Sequence, residues 1–202
     1  MVEMNVTVYY DYICPFCYLG TKRILELSKE FDLTIDWRGI EIHPEFSPEG
    51  KKRAKTLKSK SFTETIYSMA KEDNVEIKLP GFATNSRLAL EASEFAKTKG
   101  MFLKFHLAIY EAYFLGGLNI GDLKVIMSIG EKAGINKNEV EECLDQRTMF
   151  NKIKANNKEA QENLILGVPT FVFKKFPVYG IQSTDTMKQI IKRSLEISKN
   201  YI

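Results

Sequence analysis

Val6, Val8 and Tyr10 alternate with Asn5, Thr7 and Tyr9, the period-two pattern of a half-buried strand over residues 5–10. Leu19, Ile24, Leu25 and Leu27 then fall among Lys22, Arg23, Glu26 and Lys29 at amphipathic-helix spacing, which predicts a helix over residues 16–30. Ile35 and Trp37 alternate with Thr34, Asp36 and Arg38 as a second strand. A strand, a helix and a strand joined by a right-handed crossover make the two strands parallel. From about residue 62 to residue 166 every segment reads as helical. Leu88, Ala92, Phe95 and Ala96 share one helix face; so do Phe102, Phe105, Ile109 and Ala112, and so do Leu123, Ile126, Ile129 and Ala133. Asp122 is an expected N-cap and Gly134 an expected stop. Asn136 followed by Glu139 resembles a capping box. Strands return at residues 170–173 and 178–179. Lys174, Lys175, Phe176 and Pro177 link them as a hairpin. A last helix starts near Ser183 or Thr184 and turns Met187, Ile190, Ile191 and Leu195 inward.

The order is β-α-β, a block of helices, then β-β-α. Without the block this is the thioredoxin arrangement. The expected fold is therefore α/β and thioredoxin-like, with an inserted all-helical subdomain packed over one end of the sheet. Residues 1–42 and 167–202 would form the discontinuous thioredoxin-like domain, and residues 43–166 the helical insertion with its connections. A chain of 202 residues is long enough for this.

A net charge of +3 is too small to argue for nucleic acid or an anionic membrane as partner. No apolar run approaches the ~20 residues of a membrane span. The first strand begins so near Met1 that no signal peptide is expected, and the cytoplasm is the expected location. Three cysteines are too few for a disulfide scaffold. In a reducing compartment a Cys-x-x-Cys pair is catalytic or metal-binding more often than structural.

Two of those cysteines form Cys14-Pro15-Phe16-Cys17, between the first strand and the first helix. Such pairs serve zinc binding or thiol–disulfide exchange. The flanks favour exchange, because a helix start presents unpaired N–H groups and a dipole that favour a thiolate. Cys14 is then the nucleophile and Cys17, one turn deeper, the resolving thiol. Pro15 suits the first helical position. Phe16 would shield the pair from water.

The chain resembles the DsbA-like oxidoreductases of the FrnE branch. Asp11-x-x-Cys14-Pro15-Phe16-Cys17-Tyr18-Leu19-Gly20 is similar to their D-x-x-C-P-W-C-Y-x-G opening. The likeness continues through Ile40 to Pro44, Asn85 to Ala89, Ala112 to Phe114, Asn119 to Asp122, Gly167-Val168-Pro169-Thr170-Phe171 and Gly180-Ile181-Gln182. Phe16 replaces the usual Trp and His43 a common Asn. The further cysteine pair some members carry near the C-terminus has no counterpart, which puts any isomerase activity that leans on it in doubt.

The resemblance implies a thiol–disulfide oxidoreductase with a redox-active Cys14–Cys17 disulfide, no other cofactor and no metal. Glutathione is a candidate co-substrate; thiol or disulfide peptides and small thiols are the expected partners. It makes Pro169 a cis-proline beside the cysteines and Val168, Pro169 and Thr170, with Pro15 and Phe16, the substrate-binding residues. Val168 would pair with an extended substrate like an added strand. Relatives often form homodimers, and nothing in this chain specifies the interface. The alternative is a glutathione-dependent isomerase or transferase of the hydroxychromene carboxylate isomerase or kappa type. Those proteins usually carry Ser where Cys14 stands, and Gln182 occupies the position of an acidic residue that contacts glutathione in the kappa branch. A third reading is a metal-holding or partner-binding module that kept the fold.

Asp11 has two readings of equal weight: a carboxylate that takes a proton from Cys17, or a turn residue. Cys143 reads as a small buried apolar residue on a helix. His43 and His106, with three cysteines, lack the spacing of a zinc site. The basic tract of Lys51, Lys52, Arg53, Lys55, Lys58 and Lys60 is a solvated face, or it holds the carboxylates of glutathione or an acidic peptide. Tyr113, Phe114 and Leu115 either roof the cysteines or pack in the core.

Overall fold

A computed structural model describes residues 3–52 and 57–199, the side chains of residues 57–59 and 197–199 excepted. Strand β1 (Met4–Tyr10) carries the alternating residues and lies at the centre of the main sheet, whose order is β2-β1-β5-β6. β2 (Leu33–Gly39) runs parallel to it from Met4 opposite Leu33 to Tyr10 opposite Gly39. β5 (Thr170–Phe173) is antiparallel on its other side, with Val6 opposite Phe173 and Tyr9 opposite Thr170. β6 (Phe176–Tyr179) closes the edge. Val6, Val8 and Tyr10 are buried, as the alternation requires.

Helix α1 (Pro15–Leu27) follows β1, and α8 (Thr184–Lys199) packs against it. Between the two halves of the sheet come α2 (Leu57–Glu72), α3 (Arg87–Thr98), α4 (Phe102–Phe114), α5 (Leu123–Ala133), α6 (Lys137–Asp145) and α7 (Phe150–Glu162). The fold is thus mixed α/β and thioredoxin-like. Among the described residues no helix is long and apolar enough to cross a membrane.

Three local expectations need correction. The stretch expected to be wholly helical contains β4 (Phe82–Ala83), paired antiparallel with β3 (Lys51–Lys52); two residues leave no periodicity to read. The hairpin turn is only Lys174-Lys175, and β6 already starts at Phe176. Pro177 discouraged that reading, but an edge strand tolerates its missing N–H. Asn136 does cap α6 by accepting from Asn138 N at 2.9 Å, yet Glu139 pairs with Lys99 at 2.5 Å, so half of the capping box is absent. Asp122 caps α5 by accepting from Lys124 N at 2.8 Å, and Gly134 ends it with φ of 99°.

The insertion and the sheet share one core. Val6, Val8, Trp37, Phe171 and Phe173 belong to the same buried cluster as Phe105, Ile109, Tyr113, Ile126 and Val140. Polar clamps reinforce the junction. Lys97 Nζ donates to Trp37 O at 2.5 Å and pairs with buried Glu94 at 2.7 Å, while Asn156 Nδ2 donates to Gly39 O at 3.1 Å. Within the insertion itself Glu91, fully buried, takes Arg147 in a forked ion pair of 2.7–3.1 Å.

Candidate functional site

The site forms where β1 gives way to α1. Cys14 is the N-cap of α1, with φ −90° and ψ 113°, and Pro15 occupies the first turn, where a missing N–H costs nothing. Cys14 is 8% exposed and Cys17 1%, so Cys14 is the more accessible thiol. Both are free thiols. Burial, then the adjacent Cys14, pushes the Cys17 thiol well above its ordinary value.

The loop before β5 lies against this turn. Cys14 Sγ donates to Val168 O at 3.6 Å. The Val168–Pro169 peptide bond is cis. Thr170 is buried and turns its hydroxyl back to Gly167 O at 2.7 Å. Pro169 O accepts from Gly180 N at 2.8 Å, which ties the loop to the chain after β6. A cleft of about 370 Å³ opens beside it, lined by Leu166, Gly167, Val168, Thr170, Tyr179 and Gly180. Leu166 is 90% exposed and Tyr179 48%, so its rim is apolar and open.

Gly20 allows this close approach. A Cβ there would meet Phe171 Cζ at 2.9 Å and Pro169 Cγ at 3.5 Å, so the second turn of α1 rests directly on the proline loop and β5. Arg23, 5% exposed, anchors the same helix: its Nε donates to Asp73 at 2.6 Å and its Nη1 to Gln182 O. The Gln182 side chain donates to Tyr179 O at 3.1 Å.

Asp11 is fully buried just before the motif. One carboxylate oxygen accepts from Ile13 N at 3.3 Å and the other from Ile42 N at 2.9 Å, bracing the turn against the chain after β2. Burial pushes this carboxyl up to about 6, against the pull of the two amides. Its charge is felt at Cys17, where it raises the thiol further. The turn role and proximity to the resolving thiol therefore coexist in one side chain.

Phe16 is half-buried and meets Phe62 of α2 edge to face, 5.4 Å between centroids, so α2 extends over the motif. Tyr113 and Phe114 are wholly buried, Phe114 stacked on Tyr18 at 5.6 Å, as core residues. Cys143 is buried with its Sγ 3.0 Å from Thr148 Oγ1. His43 stacks on Phe46 with centroids 4.3 Å apart. Of the basic tract, Lys51 and Lys52 are exposed on β3 and Lys60 is exposed; Arg53 and Lys55, and the Lys58 side chain, lie outside the described residues. Among the described residues no group of three or more His, Cys, Asp or Glu side chains is placed to hold a metal.

Sequence reading missed a buried polar and aromatic cluster behind the thiols. His106 is fully buried, with Nδ1 2.9 Å from Tyr12 Oη and Nε2 3.4 Å from Thr21 Oγ1, so it bridges both flanks of the motif. Burial holds it well below the usual imidazole value, hence neutral. Tyr110 of α4 donates to Asp11 O at 3.4 Å. The helix that carries them was legible through Phe102, Phe105, Ile109 and Ala112; that His106 and Tyr110 point at the motif was not.

A family model described as the DSBA-like thioredoxin domain matches residues 5–192. The uncharacterized protein YwbO of Bacillus subtilis is 28% identical over 193 residues, covering 94% of this chain and 96% of its own. A probable DsbA oxidoreductase from Streptomyces coelicolor superposes with a TM-score of 0.86 at 19% identity, over 96% of this chain and 90% of its own. A 2-hydroxychromene-2-carboxylate isomerase superposes with a TM-score of 0.79 at 18% identity, over 98% of each chain.

Proposed function

The chain belongs to the DSBA-like thioredoxin domain family, and from that premise we propose that it is a thiol–disulfide oxidoreductase working through Cys14 and Cys17. The observation that carries this reading is the placement of Cys14. It caps α1, it is the more exposed of two free thiols, and its sulfur faces the Val168 carbonyl.

In this reading the Cys14 thiolate attacks one sulfur of a substrate disulfide. A Cys14–substrate bond forms, and the other half of the substrate leaves as a thiolate. Cys17 then loses its proton to Asp11 and attacks Cys14 Sγ. The second half of the substrate leaves as a thiolate, with the Cys14–Cys17 disulfide behind it. The protein has given up two electrons and the substrate has gained them. A dithiol, glutathione included, returns the pair to its starting state, and the same steps run backward oxidise a substrate dithiol. Val168 and Thr170 line the cleft beside the nucleophile, with Pro169 between them, and the three would hold an extended thiol or disulfide peptide there.

Replacing Cys17 by Ser leaves the attack intact and removes resolution, so Cys17→Ser should accumulate a mixed disulfide on Cys14 visible by intact mass. Cys14→Ser should form none and lose exchange. If Cys14→Ser still exchanges disulfides at the wild-type rate, the reading fails. The full-length match to an isomerase fold supports a second reading, a glutathione-dependent isomerase or transferase. That activity would survive Cys17→Ser, whereas redox cycling would not.

A further inference from the structure

Tyr110 belongs to the helical insertion, yet its hydroxyl ends at the turn that carries the thiols. The residue is fully buried. Four rings enclose its own: Tyr12 at 5.0 Å, Tyr18 at 5.4 Å, His106 at 5.0 Å and Phe114 at 6.2 Å between centroids. A ring packed on those sides is held in one rotamer, which fixes the direction of its O–H. That hydroxyl donates to Asp11 O across a long 3.4 Å. The same carbonyl accepts the Cys14 amide at 3.2 Å. One oxygen therefore closes the turn onto the nucleophile's backbone and joins it to the insertion. Burial, with the Cys17 charge next in weight, pushes the Tyr110 phenol well above its ordinary value, so it stays a donor across the neutral range.

We propose that Tyr110 is a positioning residue for the thiol pair: by holding the Asp11 carbonyl it fixes where Cys14 stands against Cys17, and so helps to set the balance between dithiol and disulfide. The inference rests on the thiol–disulfide reading above and goes beyond it. Closing the pair requires the two sulfurs to reach ~2.05 Å, and the turn that Tyr110 holds sets the geometry from which they do so. Removing the pin loosens that geometry.

The experiment equilibrates the full chain with glutathione, for which protein disulfide plus two glutathione thiols gives protein dithiol plus glutathione disulfide. Tyr110→Phe keeps the ring and its packing. It should shift this equilibrium at least threefold and alter the pH dependence of Cys14 alkylation. Tyr10→Phe is the control, because Tyr10 is equally buried in the same cluster but its hydroxyl meets Ser93 Oγ at 3.1 Å; it should leave both readouts unchanged. If wild type exchanges with glutathione and Tyr110→Phe matches it, this inference alone is overturned. Equal shifts in the two variants would assign the effect to general loosening and overturn it as well. If wild type does not exchange at all, the oxidoreductase reading falls, and this inference with it.

Discussion

Asp11 is where burial and chemistry meet in one side chain. Its carboxyl is raised from 3.8 to about 6, chiefly by loss of solvent. An acid whose folded value lies above its unfolded value binds its proton more tightly in the folded chain. Ionising Asp11 therefore costs stability: the cost is absent below about pH 3.8 and fully present above about pH 6, at roughly 3 kcal/mol. The unfolding free energy of wild type relative to Asp11→Asn should accordingly rise by an amount of that order as pH falls from 7 to 4. Denaturant titrations at several pH values measure it, and a flat difference would mean that the carboxyl is not strained by burial. In the proposed mechanism the same ionisation would make Asp11 the proton acceptor at pH 7. Resolution of the mixed disulfide should slow as pH falls through about 6. In Asp11→Asn it should be slower by roughly 10²-fold at pH 7, with that inflection gone. A rate profile unchanged in the variant would leave Asp11 only its hydrogen bonds to Ile13 and Ile42.

At the scale of elements, the approach of α1 to the proline loop is what assembles the site, and Gly20 permits it. Gly20→Ala should force the Phe171 ring away from the helix, since the added carbon would lie 2.9 Å from Phe171 Cζ, whereas Pro169 Cγ at 3.5 Å is in ordinary contact. Overpacking of this kind costs about 1–3 kcal/mol, and Phe171 lies on β5 directly after the Val168–Pro169 loop that faces Cys14. The variant should lose exchange rate along with stability. A loss of stability with the exchange rate intact would show that the loop's position does not govern the reaction. Gly20 was legible as part of the motif, but its neighbours on β5 are some 150 positions away in sequence. That gap describes what could be read in general. Periodicity revealed β1, α1, β2 and the long helices, because each buries one face of a regular repeat. It failed at β3 and β4, two residues each, and at Phe176, where Pro177 looked like a strand breaker. Cys14 and Cys17 stood out by residue type and spacing, and Pro169 through the resemblance to the DsbA-like oxidoreductases. Tyr110, His106 and Arg23 did not, because on their own helices they look like packing and surface residues, and only the tertiary fold aims them at the motif.

For the whole molecule, the decisive fact is that the insertion has no core of its own. Phe105, Ile109, Phe114 and Ile126 bury themselves against the same cluster as Val8, Phe171 and Phe173. Units that share a core lose it together, so the chain should unfold in one transition although a segment interrupts the sheet's own sequence. Trp37, the single tryptophan, is well placed to report this. It is 6% exposed on β2, with its ring 4.7 Å from His106 and 6.0 Å from Phe102 of the insertion. Were the insertion to melt first, Trp37 fluorescence would change before the sheet's circular dichroism; a shared core requires the two midpoints to coincide. Cutting a clamp tests the coupling. Arg147→Ala strands the buried Glu91 carboxylate and should cost about 2–3 kcal/mol, less than a fully buried pair because Arg147 is itself 43% exposed. At roughly 2–4 °C per kcal/mol for a chain of this size, both midpoints should fall together by about 4–12 °C. If only the helical signal moved, the insertion would be a separate cooperative unit, and the residues it lends to the thiol turn would be held by docking and not by a common interior.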